Sequence, residues 1–231
     1  MLTLVMPCYN EADLIEECVR EWHAEVVARI PGAELLVVDD CSTDASGSIL
    51  DRLSRELLGV RSVRTPENGG HGRALRYGFR HISTEWVFQT DSDRQHTPAD
   101  FWRLWNLSSD YDFVFGVRAA RADGALRIVI TRAMRLLIFA FWGVWIRDAN
   151  CPFKLMRLSA LAPVLARIPG DSFIPMVMVS IIARKMSFRC AEVPVTHLAR
   201  HGGTQSLKGI LRWLRVGRTC VAQLWRLRRL S

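Results

Sequence analysis

Trp86-Val87-Phe88-Gln89-Thr90-Asp91-Ser92-Asp93-Arg94-Gln95 passes from four residues of strand character straight into an acidic loop. The same event recurs along the chain. Apolar runs at residues 2–6, 34–38, 60–64 and 112–116 have strand length, and segments of helical period at 11–30, 45–58 and 72–81 separate them, an alternation that predicts βαβ units. A mostly parallel sheet flanked by helices on both faces follows. In such sheets ligands bind beyond the carboxyl ends of the strands, so the polar residues after each strand are the candidate site.

The chain has 231 residues, 49% of them hydrophobic, which suits one α/β domain with an appendage and excludes a disordered polymer. The boundary is expected near residue 203, with a domain over 1–203 and a basic arm over 204–231. After Glu192 no acidic residue occurs, while Arg200, Lys208, Arg212, Arg215, Arg218, Arg226, Arg228 and Arg229 supply a charge equal to the formal +8 of the whole chain. At 100° per residue most of these cations fall on one side of a helix over 207–230, opposite Leu207, Ile210, Leu214, Val221, Leu224 and Trp225. Such a helix fits either an anionic membrane surface or a packed interface, including that of a homodimer.

The six cysteines form no C-x-x-C pair and read as reduced thiols. Met1 leads directly into an apolar strand with no basic leader, and the longest uncharged apolar run, residues 136–146, is far below the roughly 20 residues a spanning helix needs. The expectation is a cytoplasmic chain, peripheral on the cytoplasmic face of a membrane if the arm is a lipid contact.

Two acidic loops follow the first two strands: Pro7-Cys8-Tyr9-Asn10-Glu11 and Val37-Val38-Asp39-Asp40-Cys41-Ser42-Thr43-Asp44. A carboxylate such as Asp40 can accept the N–H of a nucleobase, and Tyr9 can flank the ring. Asn10, Ser42 and Asp44 also fit plain helix caps. Asn68-Gly69-Gly70-His71-Gly72-Arg73-Ala74 opens a helix after the third strand, so its N–H groups can face an anion, or it is simply a turn. Asp91 and Asp93, two residues apart, with Gln95 beyond, can hold one hard cation, Mg²⁺ or Mn²⁺, whose shell a diphosphate completes.

The ordered set P-x-Y-N-E, V-V-D-D-x-S-T-D, N-x-G-x-G-x-A and Q-T-D-S-D-x-Q resembles the inverting glycosyltransferases of family 2, which have the GT-A fold. Gly116-Val117-Arg118, Arg127-Ile128-Val129-Ile130-Thr131-Arg132 and Arg147-Asp148-Ala149-Asn150-Cys151-Pro152-Phe153-Lys154 are similar to its dolichol-phosphate mannosyltransferase branch and that branch's bacterial polyprenyl-phosphate relatives. The resemblance implies that Pro7, Tyr9, Glu11, Val38 and Asp40 hold the nucleoside. It implies too that Asp91, Ser92, Asp93 and Gln95 serve metal and diphosphate, and that Arg200 closes over the donor phosphates. Arg118, Arg127, Thr131 and Arg132 correspond to the acceptor-phosphate pocket, with a solvated helix face as the alternative for the arginines. The branch usually carries Ser-Lys soon after its Arg-x-Gly, where this chain has Gly203-Thr204-Gln205-Ser206-Leu207-Lys208.

The implied reaction is sugar transfer from a UDP- or GDP-sugar to a polyprenyl phosphate. A soluble transferase acting on a saccharide or small-molecule hydroxyl is the alternative, and would need a base, for which Asp171 before Pro175 is the candidate unless it merely caps the helix. A non-catalytic sugar-nucleotide-binding protein leaves the intact Asp91, Asp93 and Gln95 without a role. The arginine-rich C-terminus also suits a nucleic-acid-binding protein, but that reading leaves unexplained the carboxylates at the strand ends, which repel phosphate unless a metal intervenes.

Overall fold

The computed structural model describes residues 1–119, 125–172, 174–198, 223 and 225, with only the backbone of 125–131. Its elements are β1 (Leu2–Cys8), α1 (Ile15–Glu25), β2 (Glu34–Asp39), α2 (Ser46–Glu56), β3 (Val60–Arg64), α3 (His71–Phe79), β4 (Trp86–Gln89), α4 (Pro98–Trp105), β5 (Phe113–Arg118), α5 (Ala125–Trp142), β6 (Lys154–Arg157), α6 (Leu158–Ala166), α7 (Pro175–Lys185) and β7 (Cys190–Val195). The seven strands lie in the order β3-β2-β1-β4-β6-β5-β7. β6 is antiparallel to both neighbours and the other pairs are parallel.

Strand periodicity sorts the core. Leu4, Met6, Leu35, Val37 and Phe88 point to the face covered by α1 and α4, while Val5, Leu36, Val38 and Val87 point to the face of α3, α6 and α7. β1 and β2 are buried on both sides and therefore read as unbroken apolar runs. Burial of each such Leu, Val or Ile side chain contributes roughly 1.5–3 kcal/mol before entropy is counted. α3 lies close on the sheet because Gly78 faces it: a Cβ there would meet Val38 Cγ2 at 2.7 Å.

Three expectations need correction. The segment expected as one helix over 11–30 begins only at Ile15 and closes with a separate 3₁₀ turn at Val27–Arg29, so Asn10 caps no helix. The short segment over 148–157, expected between two helices, ends in β6, a strand inserted between β4 and β5. α4, α6 and β7 were not anticipated as elements. The arm over 204–231 lies outside the described residues except Gln223 and Trp225, both helical. Gln223 Nε2 donates to the Asp171 carbonyl at 3.4 Å.

Candidate active site

β1, β2 and β4 are adjacent and parallel, so their carboxyl ends deliver three loops to one edge. Each loop contains one non-glycine residue with left-handed backbone: Asn10 (φ 52°), Cys41 (φ 59°) and Arg94 (φ 56°). For Cys41 and Arg94 that conformation costs about 1–2 kcal/mol, so the surroundings must hold it. They do so with cross-loop bonds. Asn10 N–H donates to Ser42 Oγ at 3.0 Å, Thr43 N–H to Asn10 Oδ1 at 2.8 Å, Glu11 N–H to Ser46 Oγ at 2.9 Å and Ala12 N–H to Asp44 Oδ2 at 3.1 Å. Arg94 reaches back to Glu17 and Glu21 of α1, pinning the β4 loop from outside. Asp44 also accepts from Ser46 N–H at 2.9 Å, at the first residue of α2, but the N-cap position of that helix is Ala45.

Asp40 is buried, and both its oxygens are engaged. Gly69 N–H and Gly70 N–H donate to it at 3.0 and 2.7 Å, and Thr65 Oγ1 at 3.0 Å. The two amides expected to face an anion are therefore turned onto this carboxylate, because a buried charge in the next loop is the nearer acceptor. Gly70 makes this possible with φ 78°. Tyr9 is exposed at the rim, while Pro7 and Val38 are buried in their strands and Glu11 is half-buried.

Asp91 and Asp93 follow β4. Asp93 Oδ1 accepts Gln95 N–H at 3.1 Å, folding the loop on itself, and Ser92 is buried beneath it. Gln95 is turned away: its Nε2 donates to the Leu198 carbonyl at 3.1 Å, tying the loop to the segment after β7. Asp91 Oδ1 accepts from His71 Nε2 at 2.9 Å. Desolvation by the surrounding loops favours both neutral forms although the His71 ring is half exposed, and the pairing outweighs it, leaving the Asp91 carboxyl below its ordinary range and the His71 imidazole above its own. His96, also beside this loop, donates through Nδ1 to the Thr196 carbonyl at 3.0 Å, and burial pushes its pKa down to about 4. It is a neutral imidazole.

Beside Asp91 opens a cavity of about 270 Å³, lined by His71, Gln89 and Asp91 on one side, Asn150, Cys151 and Pro152 on another, and residues 174–177 at the start of α7. Burial pushes the Cys151 thiol up to about 12, which leaves it protonated and a poor nucleophile. Lys154 braces the cavity from behind: it is wholly buried, donates to the Ala149 carbonyl at 3.1 Å and to Ser180 Oγ at 2.9 Å, and so ties the Asn150–Pro152 wall to α7. His71, Gln89 and this α7 wall are site residues the sequence analysis did not assign. Gln89 could have been found from strand period alone, since it shares a face with Asp91; the α7 wall comes from tertiary packing.

Of the residues assigned to the acceptor pocket, Arg118 ends β5 with its guanidinium in a bidentate pair with Asp148, at 2.7 and 2.9 Å, nearly buried. Arg132 is exposed on α5. Arg127 and Thr131 lie on the backbone of α5, with side chains outside the described residues, and Arg200 is outside them altogether. Asp171 sits in the turn before α7, is not part of the cavity lining, and does not cap the helix, whose N-cap position is Ile174.

The description "Glycosyl transferase family 2" matches residues 3–165, more than two thirds of the chain and all three acidic loops. The chain belongs to this family. Its curated relatives include the undecaprenyl-phosphate 4-deoxy-4-formamido-L-arabinose transferase of Salmonella paratyphi A, 29% identical over 204 residues, which cover 87% of this chain and 61% of the relative. The chain thus spans about three fifths of the length of that protein. Among solved structures, a mannosyltransferase from Pyrobaculum calidifontis in complex with GDP-Man and Mn²⁺ superposes with TM-score 0.72 at 22% identity, covering 99% of this chain and 64% of that one. The glucosyl-3-phosphoglycerate synthase of Mycobacterium tuberculosis with Mn²⁺, UDP and phosphoglyceric acid gives TM-score 0.73 at 19% identity, covering 99% and 78%. The fold of this family 2 glycosyltransferase is therefore GT-A, as the motif order implied.

Proposed function

We propose that this chain moves a sugar from a UDP- or GDP-sugar to a polyprenyl phosphate, with inversion at the anomeric carbon and with Mg²⁺ or Mn²⁺ at Asp91 and Asp93. The observation that carries the proposal is the placement of these two carboxylates at the end of β4, between the nucleoside-side loops of β1 and β2 and the cavity beside Asp91. The donor set fits a hard cation. Asp91 and Asp93 offer carboxylate oxygens two residues apart, Asp91 is held ionised, and oxygen ligands of a diphosphate would complete the shell. Gln95 would join only after releasing Leu198. When bound, the metal neutralises charge on the departing nucleoside diphosphate.

The chain's own residues do the rest. Asp40 and the Gly69–Gly70 turn form one rigid corner next to the exposed Tyr9 ring, where the base would lie. Lys154 holds both cavity walls so that the sugar meets a fixed surface. A phosphate monoester acceptor has a second pKa of about 6 and attacks without a protein base. Arg127, Thr131 and Arg132, on one helix, would bind it, with Arg118 and Asp148 fixing the strand end beside them. Arg200 would close over the donor phosphates. The reading with a hydroxyl acceptor loses support from the position of Asp171, outside the cavity lining.

The lipid reading is also supported by the surface of α5. Leu136, Phe139 and Trp145 are 60%, 50% and 52% exposed. Phe139 and Trp145 pack edge to face at 5.7 Å, and the Arg135 guanidinium lies 5.5 Å from the Trp145 ring centre. Apolar side chains flanked by Arg132, Arg135 and Arg147 suit an anionic membrane surface, to which the basic arm would add. None of the described helices is long and apolar enough to cross a membrane. A homodimer through the arm is the competing use of that segment. Incubation with Mn²⁺, a panel of UDP- and GDP-sugars, and either a short polyprenyl phosphate or saccharides tests the assignment. Product on the lipid phosphate is expected; product on hydroxyls alone overturns the acceptor.

A further inference from the structure

The wall of the cavity beside Asp91 includes a residue with a buried hydrogen-bond acceptor that no described residue satisfies. Gln89 lines this cavity and is 0% exposed. Its Nε2 donates to Asp91 Oδ1 at 3.4 Å, and since an ionised carboxylate only accepts, that contact fixes which end of the amide faces the loop. Oε1 is the other end, and no donor among the described residues reaches it. Most of the remaining lining has nothing to offer. His71 is committed to Asp91, and Pro152, Ile174, Pro175, Met176 and Val177 carry no side-chain donor.

A buried amide oxygen without a donor forfeits its hydration and gets nothing back, and beside a cavity a ligand can supply the missing hydrogen. Position along β4 says which ligand atoms come near. Val87, Gln89 and Asp91 alternate onto the same face of the sheet, toward α3 and α7. A diphosphate held at Asp91 and Asp93 puts the group attached to it one strand step from Gln89. Resting on the glycosyl-transfer reading above, we infer that Gln89 is a specificity-determining residue that reads the transferred sugar, its Oε1 accepting from one ring hydroxyl or one amide N–H. The class of donor is therefore a sugar with a free hydroxyl or N–H at that position, whose less polar side rests on the α7 wall. A sugar that is deoxy or O-alkylated there leaves Oε1 unpaired and is rejected.

The test is calorimetric binding in the presence of Mn²⁺, using UDP, GDP, UDP-glucose, UDP-galactose, UDP-N-acetylglucosamine and GDP-mannose, with wild type and Gln89→Leu. Gln89→Leu should hold the free nucleoside diphosphate within about twofold of wild type but bind the preferred sugar nucleotide roughly tenfold more weakly, the size of one lost neutral hydrogen bond. Monodeoxy analogues of that sugar give a second measurement that needs no variant. Wild type should lose about tenfold at one ring position only, and Gln89→Leu should not distinguish that analogue from the parent. Equal loss of nucleoside diphosphate and sugar nucleotide would show that Gln89 merely holds Asp91, and unchanged binding of both, or no deoxy position that matters to wild type, would equally overturn the inference. If wild type binds none of the six ligands, the glycosyl-transfer reading itself fails.

Discussion

Lys154 shows how a single residue can set a pH dependence. It sits wholly inside the protein with Ala149 and Ser180 as hydrogen-bond partners, and burial pushes its pKa down to about 8. The unfolded chain binds the proton up to about 10.4, so between about pH 8 and that value the unfolded state holds more protons than the native one. Stability from this group therefore rises with pH through that window, and below about pH 8 the buried charge is fully costly. Replacing Lys154 by Met should remove the term. The melting temperature of wild type minus that of Lys154→Met should shift upward between pH 7.5 and pH 9.5; parallel curves would contradict the assignment. Residue identity made Asp91 and Asp93 legible in the sequence, since two carboxylates straight after a buried strand answer to chemistry more than to folding. It could not reveal that Gln95 would face Leu198 or that Arg118 would pair with Asp148, because both partners are distant in the chain.

Elements were legible where periodicity was strong and opaque where it conflicted with a local signal. β3 and β4 lie where the apolar runs placed them, at Val60–Arg64 and Trp86–Gln89. β6 was hidden because its first residue is a lysine, which reads as surface until the fold shows it buried. Pro163 inside α6 reads as a helix breaker, and Pro194 in β7 as a strand breaker, yet β7 is an edge strand, where a missing N–H costs least. The packing of α3 on the sheet gives the sharpest prediction at this scale. Gly78→Val would place a branched side chain where a Cβ already meets Val38 at 2.7 Å and Val5 at 3.1 Å. It should cost about 1–3 kcal/mol of overpacking, read as a lower urea midpoint with unchanged slope. A wild-type midpoint would show that α3 can move off the sheet. Since α3 carries His71 and the Gly69–Gly70 turn, the same variant should also weaken nucleotide binding.

At the scale of the whole molecule, the GT-A sheet brings three loops far apart in sequence to one edge, and the exposed α5 face stands beside the proposed acceptor residues. That arrangement predicts sedimentation with vesicles containing anionic lipid and much less with neutral ones. The bound fraction should fall as salt rises from 0.05 to 0.5 M, in line with screening over about 10 Å at 0.1 M ionic strength. Binding indifferent to both lipid charge and salt would assign the α5 face to something other than a membrane. We propose that Asp91 and Asp93 hold the metal and diphosphate during transfer to a lipid phosphate. This is tested most directly by sugar transfer to a short polyprenyl phosphate, comparing wild type with Asp93→Ala, each with Mn²⁺ or with EDTA. Transfer is expected only by wild type with Mn²⁺, with a loss of about a thousandfold or more in Asp93→Ala (about 4 kcal/mol of transition-state stabilisation) and melting temperatures within a few degrees. Turnover retained by Asp93→Ala, or by wild type in EDTA, would contradict it.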